Sequence, residues 1–374
     1  MRIAMIGQKR IPSREGGVEI HVEQLAVRLA AMGHDVTVYN RRKKGFPLLH
    51  DYKGISIINV PTICTKSLDA VTYSFFATVH ALFGHYDVIH YHAIGPSVML
   101  FLPHLFGIKT VATVHGLNWK SSKWGKFAKW FMKLGENVIA KYADKVIVLS
   151  RHEQAYFQDT YGRNTEVIPN GIDIPVQRQP AIIREKYGLE QDSYVLFLGR
   201  IVPEKGIHYL LNAFSSINTE KKLVIAGKGT FTDGYVEKIK QMASNDPRVI
   251  MTGFVRGEEL DELYTNASLY VLPSDSEGMP IGLLEAMSYG CTCLVSDIPE
   301  NGEVIGKTGY TFAKGDTDDL RVKLTSVLQS AAADGVAQRA RTAVLKAYNW
   351  DDSVKQIADV YCCARRCATV QKTG

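Results

Sequence analysis

Apolar and polar positions follow one rhythm for most of the chain: short apolar runs alternate with stretches of helical spacing. Residues 1–7 form an apolar run closed by Gly7, residues 18–31 place Val22, Leu25 and Leu29 on one helical face, and Gly33 precedes a second run over 35–39. The same order predicts strands at 55–60, 87–91, 109–114 and 145–149 and helices at 70–83, 95–106 and 124–142. A second series opens at 194–199, with further strands at 222–226, 248–252, 268–272 and 292–296 and helices at 206–216, 233–243, 257–265 and 281–289. Short apolar strands between helices predict parallel sheets covered on both faces. Right-handed crossovers make each series an α/β, doubly wound, Rossmann-like layer. The Pro- and Gly-rich stretch 168–180 separates the two.

A chain of 374 residues exceeds what one core usually serves, in keeping with two domains, 1–175 and 176–350, and a terminal segment 351–374. With 46% hydrophobic and 22% charged residues, wholesale disorder is excluded. No apolar run reaches the ~18 residues of a membrane span. The start turns polar at Gln8, Lys9 and Arg10, too early for a signal peptide, so a cytoplasmic location is expected. Charge then separates the halves: residues 1–175 hold 21 Lys and Arg against 13 Asp and Glu, and the remainder holds 23 against 25. A basic half suits nucleic acid, anionic lipid or phosphorylated substrates; no nucleic-acid recognition motif accompanies it, so a nucleic-acid partner is not expected. The six cysteines show no metal-ligand spacing, and Asp316 and Asp318 read as the start of a helix, so no metal is expected.

The loops after strands carry the candidate chemistry, because ligands of such layers sit outside the carboxyl ends of the strands. In 275–285, Gly278, Pro280 and Gly282 shape a turn before a helix whose first N–H groups suit a phosphate. Glu277 opens this segment, and Glu285 is a charge within an apolar stretch that requires a partner such as a ligand hydroxyl. Arg200 and Lys205 bring two cations to another strand-to-helix turn, where a pyrophosphate would be held; plain surface charge is the alternative. Gly16 and Gly17 precede the first helix, which allows close backbone approach to a ligand, but this is no GxGxxG fingerprint. His115 ends a strand and should face the crevice. No GxSxG or P-loop is present, which argues against a serine hydrolase and a nucleoside triphosphatase. Between 119 and 134, Trp124, Phe127, Phe131 and Leu134 oppose Lys126, Lys129 and Lys133, and no acidic residue occurs from Val88 to Gly135. Two readings stay open: a basic amphipathic helix on anionic lipid, or a core-packed aromatic stripe with a solvated lysine face.

In chain order, these segments resemble the GT-B glycosyltransferases, and specifically the retaining family four that uses nucleotide-sugar donors. The resemblance rests on Glu277 and Glu285 within Glu-Gly-Met-Pro, on 285–290 and 296–300, on Gly199-Arg200 with Lys205-Gly206, and on 169–173, 114–116 and Gly16-Gly17. It implies two facing Rossmann-like domains with a central cleft and a final helix, about 351–365, crossing back onto the first domain. It also implies that Arg200 and Lys205 neutralise the donor diphosphate, that Glu285 holds the ribose and that Glu277 contacts the sugar. His115 would lie near the transferred sugar and Gly17 at the phosphates. Met279, Pro280, Ile281 and Gly282 would cradle phosphate and sugar, and Gly253, Phe254 and Val255 would lie near the base. The acceptor side would include Arg14, Glu15, Gly16, His92 and Asn118.

The activity implied is retaining transfer of a hexose, UDP-linked by expectation and without a metal, to a polysaccharide or polyprenyl-linked glycan, with peripheral contact to the inner face of the cell membrane through residues 119–134. Gly290-Cys-Thr-Cys293 departs from the family pattern, which often has Pro before that strand. Two alternatives remain at this point: a non-catalytic nucleotide-sugar binder, and an NAD-linked oxidoreductase, which would need the missing dinucleotide fingerprint.

Overall fold

The structure is a computed structural model describing all residues except 14, 15, 44, 46, 64–67, 118, 120–124, 230, 231, 331, 332 and 371–374, together with the side chains of 333, 334 and 366–370. The chain divides into two compact units: Met1–Gly171 with Trp350–Gly374, and Ile172–Asn349.

The first unit is built on eight strands: β1 (Arg2–Ile6), β2 (Asp35–Arg41), β3 (Asp51–Tyr52), β4 (Ile55–Val60), β5 (Val88–His92), β6 (Lys109–Val114), β7 (Lys145–Val148) and β8 (Glu166–Val167). Their order is β3-β4-β2-β1-β5-β6-β7-β8, with only the β3–β4 pair antiparallel. The helices are α1 (Gly17–Ala31), α2 (Asp69–Leu82), α3 (Phe101–Leu105), α4 (Lys126–Tyr142) and α5 (Arg151–Tyr161). Strand alternation splits β1 between two cores. Ala4 and Ile6 pack with Tyr73 of α2 and Ile139 of α4, whereas Ile3 and Met5 pack with Leu25 and Leu29 of α1. The helix expected over 95–106 is a 3₁₀ turn, Pro96–Leu100, followed by the short α3. Two prolines without N–H groups, Pro96 and Pro103, account for the break.

The second unit has six parallel strands, β9 (Tyr194–Leu198), β10 (Lys222–Ala226), β11 (Val249–Gly253), β12 (Leu269–Leu272), β13 (Cys293–Ser296) and β14 (Tyr310–Phe312), in the order β11-β10-β9-β12-β13-β14. Around them lie α6 (Ile182–Tyr187), α7 (Ile207–Ser215), α8 (Asp233–Ser244), α9 (Glu258–Thr265), α10 (Ile281–Tyr289), α11 (Pro299–Ile305), α12 (Thr317–Leu328) and α13 (Ala333–Ala347). Asp316 caps α12 by accepting from the N–H groups of Asp318 and Asp319, which accounts for this carboxylate without a metal. Cys291 and Cys293 are buried in this core. The last helix, α14 (Trp350–Val370), returns to the first unit, where Val354, Ile357 and Tyr361 join the α1 core.

In each sheet the winding of the chain switches to the other side once, between the parallel neighbours β1 and β5 in the first unit and β9 and β12 in the second. At such switch points the loops leaving the carboxyl ends diverge and open a ligand site. Those loops hold Gly7 and His92 in one unit, and Gly199–Lys205 and Ser274–Pro280 in the other.

Candidate functional site

In the second unit the two switch-point loops are bound together. Asp275 N–H donates to the carbonyl of Glu204, and Lys205 Nζ meets Glu277 Oε1 at 2.5 Å. The same carboxylate oxygen accepts from Ser274 Oγ at 2.6 Å. Both charged side chains are mostly enclosed, with 15% and 9% of their surface exposed. Gly206 makes this approach possible: its φ is +64°, and a Cβ there would stand 2.0 Å from the carbonyl oxygen of Pro273. An ammonium has three donors, so Lys205 retains N–H groups for a phosphate while holding Glu277. Arg200, partly exposed just after β9, adds a guanidinium suited to bidentate phosphate contacts.

Helix α10 begins after Pro280 with no side chain capping it. Its N-terminus, with Gly278, Met279, Pro280, Ile281 and Gly282, presents backbone dipoles favouring an anion. Ile281 is also a core side chain, so only its backbone is available to a ligand. Glu285, one turn on, already has a partner: the Tyr264 hydroxyl of α9 donates to its Oε2 at 3.1 Å. Burial, then the charge of Glu285, pushes the Tyr264 phenol well above its ordinary pKa, so it stays a donor. The partner that the sequence left to a ligand is supplied in part by the protein. At the end of β11, Gly253 takes φ +75°, Phe254 is exposed beneath the Lys228 ammonium, 5.0 Å from its ring centre, and Val255 is buried.

In the first unit, Gly16 precedes α1 and Gly17 is its first residue, again without a side-chain cap. Gly7 packs so closely on β5 that a Cβ would lie 1.9 Å from the His92 carbonyl oxygen. His92 is fully buried, with Nδ1 at 3.3 Å from Nε2 of the partly exposed His115. His90, behind it, is satisfied by the Tyr361 hydroxyl at 2.6 Å and the Thr113 hydroxyl at 2.7 Å. Burial first, then the neighbouring rings, holds His90, His92 and His115 well below the usual imidazole pKa. Arg14, Glu15 and Asn118 lie outside the described residues.

Helix α4 corrects one of the two readings of the aromatic stripe. Its core side is Met132, Gly135, Val138 and Ile139; of the expected stripe, Phe127 and Leu134 face solvent, as does Trp130, Phe131 is half-buried and Trp124 lies outside the described residues, so the stripe is not the core face. Lys133 is not part of a solvated face either. It pairs with the fully buried Glu136 at 2.9 Å and sits 3.6 Å from the centre of the Trp119 ring. Glu136 also accepts from Trp119 Nε1 and from the hydroxyls of Tyr156 and Tyr161. Nothing in the local sequence distinguishes this buried acid from an ordinary Lys–Glu surface pair.

Two Rossmann-like units in one chain are the elements of the GT-B architecture. The sucrose-phosphate synthase of Thermosynechococcus elongatus superposes with a TM-score of 0.84 at 22% identity, covering 96% of this chain and 98% of that one. The family model "Glycosyl transferases group 1" matches residues 180–350, and "Glycosyltransferase Family 4" matches 15–175. An uncharacterized glycosyltransferase of Methanocaldococcus jannaschii is 29% identical over 96% of this chain and 98% of its own length. The UDP-Gal:alpha-D-GlcNAc-diphosphoundecaprenol alpha-1,3-galactosyltransferase of Escherichia coli is 26% identical over 74% of this chain and 75% of its own. The chain belongs to the family-four glycosyltransferases of the GT-B type and is a transferase of glycosyl groups. That class sets aside the oxidoreductase and the non-catalytic binder.

Proposed function

We propose that this protein moves a hexose from a UDP-linked donor to a glycan carried on a polyprenyl or polysaccharide acceptor, with retention and without a metal at the diphosphate. The observation that carries this reading is the Lys205–Glu277–Ser274 contact beside the uncapped start of α10. Breaking the anomeric bond leaves negative charge on the nucleoside diphosphate and positive character on the sugar, so preorganised donors at the diphosphate lower the barrier. Arg200, Lys205 and the α10 N-terminus supply that stabilisation from the protein itself. Glu277 orients sugar hydroxyls, and Glu285, held by Tyr264, takes the ribose. By the family resemblance, His115 and the N-terminus of α1 are assigned to the sugar and the phosphates. The UDP donor and lipid-linked acceptor draw support from the stated substrates of the E. coli relative.

The test is release of UDP from UDP-hexoses with polyprenyl-diphosphate glycan acceptors. Glu277→Gln should lower kcat by about 10²–10³, the range for loss of one transition-state contact, in protein that still unfolds cooperatively but at a lower Tm, because the enclosed Lys205 loses its charged partner. Unchanged kcat would remove Glu277 from the site.

We also propose that the first unit rests on an anionic membrane. Among the described residues no helix is long and apolar enough to cross a membrane. The neighbouring elements α2, α3 and α4 nevertheless leave large apolar side chains in solvent: Phe83 is 77% exposed, Leu105 and Phe106 70%, Phe127 and Trp130 59%. Exposed apolar side chains of this kind mark interaction surfaces, and Phe127 and Trp130, with ring centres 5.8 Å apart, form one at the start of α4. The exposed Lys126 and partly exposed Lys129 beside it favour anionic headgroups.

A further inference from the structure

The interior of the first unit gathers three imidazoles from three elements, of which only His115 is expected from the family resemblance to meet the donor sugar. His21 comes from α1, His92 ends β5, and His115 follows β6. Their ring centres lie 4.7 Å (His21–His115), 5.3 Å (His21–His92) and 5.5 Å (His92–His115) apart, and one ring nitrogen from each falls within 4.8 Å of the others.

The hydrogen bonding around the rings is incomplete in a directed way. His21 Nδ1 lies 2.7 Å from Asn170 Oδ1. An amide oxygen only accepts, so Nδ1 carries the proton and Nε2 keeps its lone pair. That Nε2 is buried with no hydrogen-bond partner, and so is Nε2 of His92. Buried polar nitrogens are nearly always satisfied, and two unsatisfied ones in adjacent rings call for a missing group.

We propose that His21, His92 and His115 form a binding site for one divalent transition ion of the zinc type. Three neutral imidazoles suit zinc and its first-row neighbours, whereas magnesium and calcium require oxygen ligands. The Asn170 contact is the outer-shell hydrogen bond that usually fixes the orientation of a ligating histidine. Zinc–nitrogen bonds of about 2.1 Å place tetrahedral ligand atoms about 3.4 Å apart, so the rings must close by roughly an ångström or more through side-chain rotation. Three protein ligands leave a fourth position for water or a substrate oxygen. The partial exposure of His115 gives that position its access. The ion plays no part in neutralising the donor diphosphate, so the transferase reading stands or falls separately.

The experiment uses the full chain, stripped with a chelator, dialysed against zinc chloride, gel-filtered and assayed for metal by mass spectrometry. The expected content is about one zinc per chain, lost in His21→Ala and in His92→Ala. It should be kept in His104→Ala, which removes an exposed histidine of α3. Cobalt(II) bound to the unsubstituted protein should show the intense visible bands of a four-coordinate site, a readout that does not depend on whether the variants fold. Zinc content near zero in the unsubstituted protein, content unchanged by folded His21→Ala, content lost in His104→Ala, or a six-coordinate cobalt spectrum would each overturn the site.

Discussion

Replacing Glu136 with alanine should be the most damaging single change in the first unit outside the sheet. The carboxylate is fully buried and receives Trp119 Nε1 at 2.5 Å, Lys133 Nζ at 2.9 Å, Tyr161 OH at 2.9 Å and Tyr156 OH at 3.1 Å. Truncation leaves an ammonium and three donors without their common acceptor. Breaking a buried pair costs about 3–5 kcal/mol. Lys133 keeps 35% of its side chain exposed and can recover some hydration, so the lower end, about 3 kcal/mol, applies. For a unit of this size each kcal/mol lowers Tm by roughly 2–4 °C, giving a fall of about 6–12 °C. Thermal unfolding followed by near-ultraviolet circular dichroism reads the shift, with Asn137→Ala on the exposed side of the same helix as control. Glu136→Gln should fall between the two, since it keeps acceptor capacity but loses the charge. A Glu136→Ala melt within about 1 °C of the control would refute the energetic argument, because even a weak net contribution exceeds that shift. Function would follow stability here: Trp119 lies four residues after His115, and Glu136 anchors it.

Gly206→Ala combines a left-handed backbone, costing about 1–2 kcal/mol, with a clash against the Pro273 carbonyl. We expect Tm to fall by at least about 4 °C and UDP affinity to weaken, because the loops carrying Lys205 and Glu277 must part; an unchanged melt with unchanged UDP binding would contradict the packing described. For the membrane face, Phe127→Ser with Trp130→Ser should reduce sedimentation with phosphatidylglycerol vesicles, as should Lys126→Glu with Lys129→Glu, while UDP binding is retained. Lys133 is left intact in these variants because it serves Glu136. Equal sedimentation of all forms would show that the exposed aromatics do not meet lipid.

Much of the fold is legible because parallel strands buried on both faces read as apolar runs, and the inner strands of both sheets follow from those runs, whereas β3, β8 and β14, edge strands of two or three residues, are too short to show one. The donor-site loops are legible for a related reason: cations, glycines and paired glutamates cluster locally after β9 and β12. What escapes the sequence is assembled across distance. Tyr264 reads as one more apolar position of α9, yet its hydroxyl reaches Glu285. His21, His92 and His115 come from three elements and show no ligand spacing. On α4, two stripes of comparable apolar character compete. The one that packs, Met132 with Val138 and Ile139, is less aromatic than the one left in solvent, so periodicity alone points to the wrong face. Composition near Glu136 predicts a surface pair, because nothing local announces the tyrosines arriving from α5.

The central claim is that Arg200, Lys205 and the start of α10 bind a nucleoside diphosphate without help from a metal. Calorimetric titration of the chain with UDP, in matched buffers with and without a chelator, tests it most directly. The account predicts saturable binding of equal affinity in both buffers, weakened at least tenfold, about 1.4 kcal/mol, by Arg200→Ala. Binding that disappears with the chelator, or that survives Arg200→Ala and Lys205→Ala unchanged, would contradict it.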